Sequence, residues 1–335
     1  MVELKTQTTK KQKSGRERED GRDMLSELHE DVLVHIIQLL DTETAVRTSF
    51  LSKRWNNLWK HVTTLRFRRR NFKTIAMYNQ FVSHVVSQRD PSILLHCLDF
   101  EACGTTAQEL LTCIVFFTPH MLHVPHLRIY LDQESRNNFY YPIPFIFSSP
   151  SLTSLTLSIL YPRHILKLPP SLHLPALKTL NLTNVCFSAR DNDVRAEPFS
   201  NCFSLNSLVL VGCSLSDDAK VLSISNSNLS RFTMKRYDEV QYKIVLSTPN
   251  LTHLAIRSCI GCHDLSSMSD LALLEEANIE IAATCPSIIL RLLKMFSHVK
   301  ILTLSKSVLG AILLVSYFCV FSSSFVCILT SLFLI

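Results

Sequence analysis

The sequence predicts an α+β chain. A three-helix N-terminal module leads into an α/β solenoid whose repeats share a parallel sheet on its concave face, and an apolar C-terminal helix follows. Three observations predict this. Leu28, Val32, Leu33, Ile36, Ile37 and Leu40 recur at helical period, which makes one apolar face. A looser L-x-x-L-x-L pattern, with other apolar residues allowed, recurs across residues 93–306 at steps of 22–29 residues. The last 28 positions, Val308 to Ile335, carry no charged residue.

The length of 335 residues leaves room for two domains, and an apolar fraction of 47% can fill a sizeable core. The formal net charge is +6, too modest to mark a nucleic-acid binder. Residues 1–22 hold seven cations, among them Lys10, Lys11, Lys13, Arg16 and Arg18, and little that could be buried. Ordering them would cost entropy without return, so they read as a disordered basic tail. A nuclear localisation signal is the functional alternative for the same residues.

The helical module is expected over residues 23–65. Glu30 and Asp31 fall in a first turn, where carboxylates suit the helix dipole. A second helix is expected after Thr42 as N-cap, presenting Ala45, Val46 and Phe50. A third is expected after Ser52, with Trp55, Leu58, Trp59 and Val62 on one stripe. So small a core often needs a partner for stability. Trp55 and Trp59 read equally well as interface anchors or as core.

The run Asp23-Met-Leu-Ser-Glu-Leu-His-Glu-Asp-Val-Leu-Val-His-Ile-Ile-Gln-Leu-Leu, followed by Ala45-Val-Arg-Thr-Ser-Phe-Leu-Ser-Lys-Arg-Trp-Asn-Asn-Leu-Trp59, resembles the plant F-box motif. Where that family has Leu-Pro twice, this chain has Leu28-His29 and Leu40-Asp41. The resemblance implies a Skp-type adaptor as partner and, through it, a cullin ubiquitin ligase. It further implies that Leu28, Val32, Leu33, Ile36, Leu51, Trp55 and Trp59 contact the adaptor. Residues 66–92 are expected to form a linker or the start of the solenoid. The cations Arg66, Arg68, Arg69, Arg70 and Lys73 there read as a solvated linker rather than a phosphate-binding patch, because aromatic stacking partners are sparse.

About nine repeats are expected over 93–306, opening at Leu95, Val124, Leu152, Leu177, Leu205, Leu229, Leu251, Leu274 and Val299. That spacing lies in the leucine-rich-repeat range. One strand such as Leu152-x-x-Leu155-x-Leu157 cannot bury its leucines alone, so each repeat must stack on the next. Alternate strand residues then point outward and form a recognition surface. By repeat phase this surface includes Arg128, Tyr130, Ser154, Thr156, Asn181, Thr183, Arg231, Lys235, His253, Arg257, Glu276 and Glu280. A target with mixed charge is expected, acidic opposite Arg231, Lys235 and Arg257. Together the two regions resemble plant F-box/leucine-rich-repeat proteins, in some of which an FBD region follows, and in that family the repeats select the protein to be ubiquitinated.

Chemistry is excluded on specific grounds. The six glycines are too dispersed for a phosphate-cradling loop or a nucleophile elbow. The eleven cysteines follow no secretory signal and read as reduced, mostly buried thiols. Cys259-Ile-Gly-Cys-His263 matches the c-type haem sequence, but Cys259, like Cys213, is the ninth position of its repeat, where the pattern takes Asn or Cys. A metal at Cys259, Cys262 and His263, or at His120, His123 and His126, lacks a supporting ligand set. No cofactor, metal, nucleic acid or catalytic activity is therefore expected.

Residues 307–335 form an apolar tail long enough to cross a bilayer, with Lys300 and Lys306 on the side expected to stay cytoplasmic. Residues 308–335 are thus a candidate membrane contact, and a cap over the end of the solenoid or sequence derived from an intron are the competing accounts. Two readings follow. One is a cytoplasmic or nuclear target-recognition subunit of a ubiquitin ligase. The other is a membrane-anchored or truncated repeat protein with weak or lost adaptor binding.

Overall fold

The computed structural model describes residues 24–104, 123–133, 144–160, 166–190, 193–216, 219–236, 242–258, 265–267, 271–281, 295–296, 298–310 and 312. The N-terminal module contains α1 (Met24–Glu27), α2 (Glu30–Gln38) and α3 (Thr42–Arg47). His29 caps α2, with Nδ1 accepting from the Asp31 N–H at 3.4 Å. Leu33 and Ile37, one turn apart on α2, are fully buried. The cap of α3 is Asp41, whose carboxylate accepts from the Thr44 N–H at 2.8 Å. The expected cap, Thr42, is instead the first helical residue, and its hydroxyl is used elsewhere.

The expected third α-helix does not form. The 3₁₀ turns Thr48–Phe50 and Leu58–His61 flank a series of tight turns. Trp55 and Leu58 donate to carbonyls three residues back, Ser52 and Trp55, which is 3₁₀ bonding. Two adjacent asparagines, Asn56 and Asn57, are poor helix formers and weaken α-helical continuation here. The apolar stripe is buried all the same, since Trp55, Leu58, Trp59 and Val62 are all core.

The stretch expected as a linker or the start of the solenoid contributes to the first repeat. It supplies β1 (Thr64–Phe67) and α4 (Ile75–Gln88), with Thr74 capping α4. Its arginines are engaged. Arg66 donates to the carbonyls of Gln38 at 2.6 Å and Leu40 at 3.3 Å, at the C-terminal end of α2. There a cation meets the negative end of the helix dipole. The Arg66 N–H donates to the Thr42 hydroxyl at 2.8 Å. The unpaired edge of β1 is thus covered by the module.

The remaining strands of the first half are β2 (Cys97–Gly104), β3 (His126–Gln133), β4 (Ser154–Ile159), β5 (Leu166–Lys167), β6 (Thr179–Thr183), β7 (Val185–Phe187), β8 (Arg195–Ala196) and β9 (Ser207–Val211). They continue with β10 (Ser214–Leu215), β11 (Val221–Ser225), β12 (Arg231–Arg236), β13 (Lys243–Ser247), β14 (His253–Ser258), β15 (Leu265–Ser267), β16 (Glu276–Ile281) and β17 (Ile301–Leu304). Ten of them form one parallel sheet in the order β1-β2-β3-β4-β6-β9-β12-β14-β16-β17. The short strands form two side sheets, β10-β7-β5 and β15-β13-β11-β8.

The register is set by the leucine pattern. Leu98, Leu127, Leu155, Leu180, Leu208, Phe232 and Leu254 align across neighbouring strands, and all are buried. Polar residues between them face out, as a period of two requires. The residues after β6 and β9 have the left-handed backbone, at Asn184 (φ 57°) and Gly212 (φ 60°). The Asn184 side chain donates to the Ile159 carbonyl at 2.7 Å. A Cβ at Gly212 would lie 2.2 Å from Asn184 Oδ1, so this turn requires glycine.

The last strand of the sheet, β17, is less covered. Ile301 is exposed, and Leu302 and Leu304 are half-buried. The apolar tail expected as a helix lies outside the described residues from 313 onward. No helix among the described residues is long and apolar enough to cross a membrane.

Candidate functional site

Two surfaces are built from the sequence upward. The first is on the N-terminal module. Of the seven residues expected to meet a partner, Val32 and Leu51 are exposed, and Leu28 and Ile36 are half-buried. Leu33, Trp55 and Trp59 are core residues that hold the module together and are not presented at its surface. Three exposed apolar residues are not among those seven: Leu25, Leu39 at 71% exposure and Phe50 at 88%. Val32, Ile36 and Leu39 follow one another at i, i+4 and i+7 on one side of α2. The signal was present in Leu39-Leu40, since a helix end buries one of two adjacent leucines more readily than both. Val32, Leu39, Phe50 and Leu51 are thus exposed apolar side chains of the module.

The second surface is the open face of the ten-stranded sheet. All the residues expected there lie on outward rows. Arg128, Thr156 and Asn181 align in a middle row that continues through Val209, Thr233, Ala255 and Asn278. Ser154, Arg231, His253 and Glu276 lie in the row to one side. Tyr130, Thr183, Lys235, Arg257 and Glu280 lie in the row to the other. Leu254, between them in phase, is buried, so the repeat phase is as the sequence predicts.

Charge along this face falls into three zones. At the start, Asp99 in the middle row is only 2% exposed and accepts two bonds from the Arg68 guanidinium, at 2.6 and 2.7 Å. Arg128 lies 3.8 Å from the same carboxylate, and Arg68 lies 5.5 Å over the Tyr130 ring. The bonds to Asp99 hold Arg68 protonated more firmly than usual. In the centre, Ser154, Thr156, Ser158, Thr179, Asn181, Thr183 and Ser207 form a neutral hydroxyl and amide belt.

Beyond the belt come the charged strands. Arg257 is paired with Glu280 at 2.7 Å, His253 with Glu276 at 3.7 Å, and Lys300 with Glu275 at 2.8 Å. Arg257 holds the Glu280 carboxyl below the ordinary carboxylate range. The expected basic pair of strands is therefore partly neutralised from within. Arg231 and Lys235 on β12 make no ion pair among the described residues, and Lys235 adds its charge to that of Arg257 in lowering the Glu280 carboxyl.

Among the described residues, no group of three or more His, Cys, Asp or Glu could hold a metal ion. Cys213 is buried, with its sulfur 3.6 Å from the carbonyls of Leu182 and Val211, at the strand-to-loop turn where the repeat phase puts it. Cys259, Cys262, His263 and His120 lie outside the described residues.

Comparison with known proteins agrees with this architecture. Residues 25–67 match the family model described as the F-box domain. An F-box/FBD/LRR-repeat protein of Arabidopsis thaliana is 30% identical over 249 residues, covering 71% of this chain and 54% of the relative. A second protein of that description from the same plant is 28% identical over 251 residues, covering 70% and 55%. An Arabidopsis F-box/LRR-repeat protein is 27% identical over 252 residues, covering 72% and 78%. The chain spans about half the length of the first two relatives.

Proposed function

The chain belongs to the plant F-box/leucine-rich-repeat family, and from that premise we propose that it is the target-recognition adaptor of a Skp–cullin–F-box ubiquitin ligase. The F-box engages the Skp-type adaptor, and the adaptor brings the cullin and the transfer chemistry. The chain itself is non-catalytic and acts in the cytoplasm or nucleus. The observation that carries this reading is the exposed apolar set of the F-box, Val32, Leu39, Phe50 and Leu51, beside a core that buries Leu33, Ile37, Trp55 and Trp59 without them. Aromatic and aliphatic anchors of this kind dominate association when a partner buries them.

The open face of the sheet binds the target. Its neutral belt leaves specificity to hydrogen bonds, and the charged strands add a directional component. A target segment crossing β12 presents carboxylates to Arg231 and Lys235. One crossing β16 meets carboxylates already engaged by β14, so it gains less from basic residues.

The test is co-purification with the Skp-type adaptor. Phe50→Asp and Leu39→Asp should each reduce recovery at least about tenfold, as expected for loss of interface anchors, while leaving the thermal midpoint of the free chain unchanged. Trp55→Ala should lower that midpoint as well, because Trp55 is core. No recovery of the adaptor with the unsubstituted chain would sink the ligase reading.

A further inference from the structure

A cavity of about 200 Å³ opens where α4 meets the N-terminal ends of the first strands. Leu65, Val86, Ile93, Leu98 and Val124 make its wall apolar, and Arg89 joins them. Arg89 follows the last residue of α4, where its backbone turns extended. Its guanidinium donates to two carbonyls, Val62 at 3.2 Å and Asp90 at 3.3 Å. Its Nε–H is buried and has no partner among the described residues.

The carboxylate nearest in sequence is occupied elsewhere. Asp90 accepts from the Ser92 N–H at 2.9 Å and from the Ser92 hydroxyl at 2.7 Å. No ion pair to Arg89 exists among the described residues. Arg89 is half-buried, and burial pulls its pKa down although the charge of Asp90 partly opposes the shift. Taking a cation partly out of water is costly where its donors are left unpaired. A structural arginine in such a place would be expected to hold a carboxylate, as Arg68 holds Asp99 in this same molecule. Arg89 instead lines an apolar space with part of its donor capacity unused.

We propose that this cavity is a binding site for a small organic anion, a monocarboxylate with a compact apolar body. The carboxylate lies on the Arg89 guanidinium, and the body lies against Leu65, Leu98 and Val124. The size fits, since an aliphatic-lined cavity of about 150 Å³ takes a benzene ring. The charge fits as well, because a charge-assisted bond to guanidinium is the strongest pairing this arginine lacks. The site is independent of the target-binding face and of the adaptor surface. A ligand there would brace α4 against β1 and β2, next to the F-box junction.

Benzoate, benzyl alcohol and benzylamine are probes of one shape and three charges. Ligand-observed NMR titration of the full chain should give benzoate an affinity at least about tenfold above benzyl alcohol, with benzylamine weakest, which is what one charge-assisted bond supplies. In Arg89→Gln the preference for benzoate should vanish, while any weak binding of benzyl alcohol persists. Ile93→Trp, which fills the space, should abolish binding of both. Equal binding of benzoate and benzyl alcohol, no binding of either, or benzoate affinity unchanged in Arg89→Gln would overturn the proposal. Circular dichroism of each variant guards against misfolding, and Arg89→Lys, which keeps the charge, should retain part of the preference.

Discussion

Asp99 occupies an outward position on β2, where alternation predicts a solvated side chain, yet it is buried. The cause is Arg68, which leaves the end of β1 and folds back over it, with Glu101 3.9 Å from the same arginine. Removing one partner of a buried pair leaves an uncompensated charge, at a cost of about 3–5 kcal/mol. Asp99→Ala should therefore lower unfolding stability by that order in urea titration. Replacing both partners, Arg68→Met with Asp99→Leu, should cost less than Asp99→Ala alone. A double variant as unstable as the sum of the singles would show that the pair is not coupled. Cys202 makes a second case. It is fully buried, and desolvation pushes its thiol up to about 11, from 9.0 when unperturbed. The folded state thus holds the proton more tightly than the unfolded state. The stability this provides is complete below pH 9 and is lost as pH rises through 11. The thermal midpoint of the wild-type chain should fall relative to Cys202→Ala between those limits, and parallel curves would refute the assignment.

The two departures from the family's Leu-Pro pairs turn out to be helix caps of unequal quality. His29 and Asp41 both precede a helix, with φ of −62° and −70°. Both angles suit proline. The His29 cap is long at 3.4 Å, whereas the Asp41 cap is a good bond at 2.8 Å. His29→Pro should therefore hold or raise stability by a few tenths of a kcal/mol, because proline restricts the unfolded chain, and should strengthen adaptor recovery if the family's proline sets the approach to α2. Asp41→Pro should cost about 1 kcal/mol, the usual loss for an N-cap. Thermal unfolding separates the two, and equal loss from both would refute the distinction. Elements were legible from sequence where period and burial agreed, as in α2 with Leu33 and Ile37 and in the strands opening each repeat. The third helix was misread because an apolar stripe at three- and four-residue spacing also fits successive 3₁₀ turns. The exposure of the candidate adaptor contacts was illegible for a related reason. Periodicity identifies an apolar face, but Trp55 and Phe50 differ only in which one the rest of the fold has already covered.

The F-box and the solenoid share one hydrophobic core that runs from Leu33 and Trp59 through Leu65 and Phe67 into the stacked leucines. The sequence left this continuity open, because the cations that make the joint suit a solvated linker as well as the start of the solenoid. In a solenoid each repeat touches only its neighbours, so a disturbance at one end decays along the stack. The joint rests on few polar contacts: the Thr42 hydroxyl on the Arg66 N–H, and the Arg66 side chain on the last carbonyls of α2. Thr42 itself is buried, so no water readily replaces it. Thr42→Val keeps the shape but leaves the edge N–H of β1 unsatisfied, at a cost of about 1–3 kcal/mol. The loss should appear on both sides of the joint. Hydrogen exchange in Thr42→Val should accelerate in α2, α3, β1 and β2 together, and it should be unchanged in β12, β14 and β16, several repeats away. Faster exchange confined to the F-box would mean that the two parts fold as separate units. Acceleration along the whole sheet would mean that the solenoid unfolds as one block. The intermediate pattern alone agrees with a module that covers the open edge of the first strand and fixes its own orientation relative to the open face of the sheet.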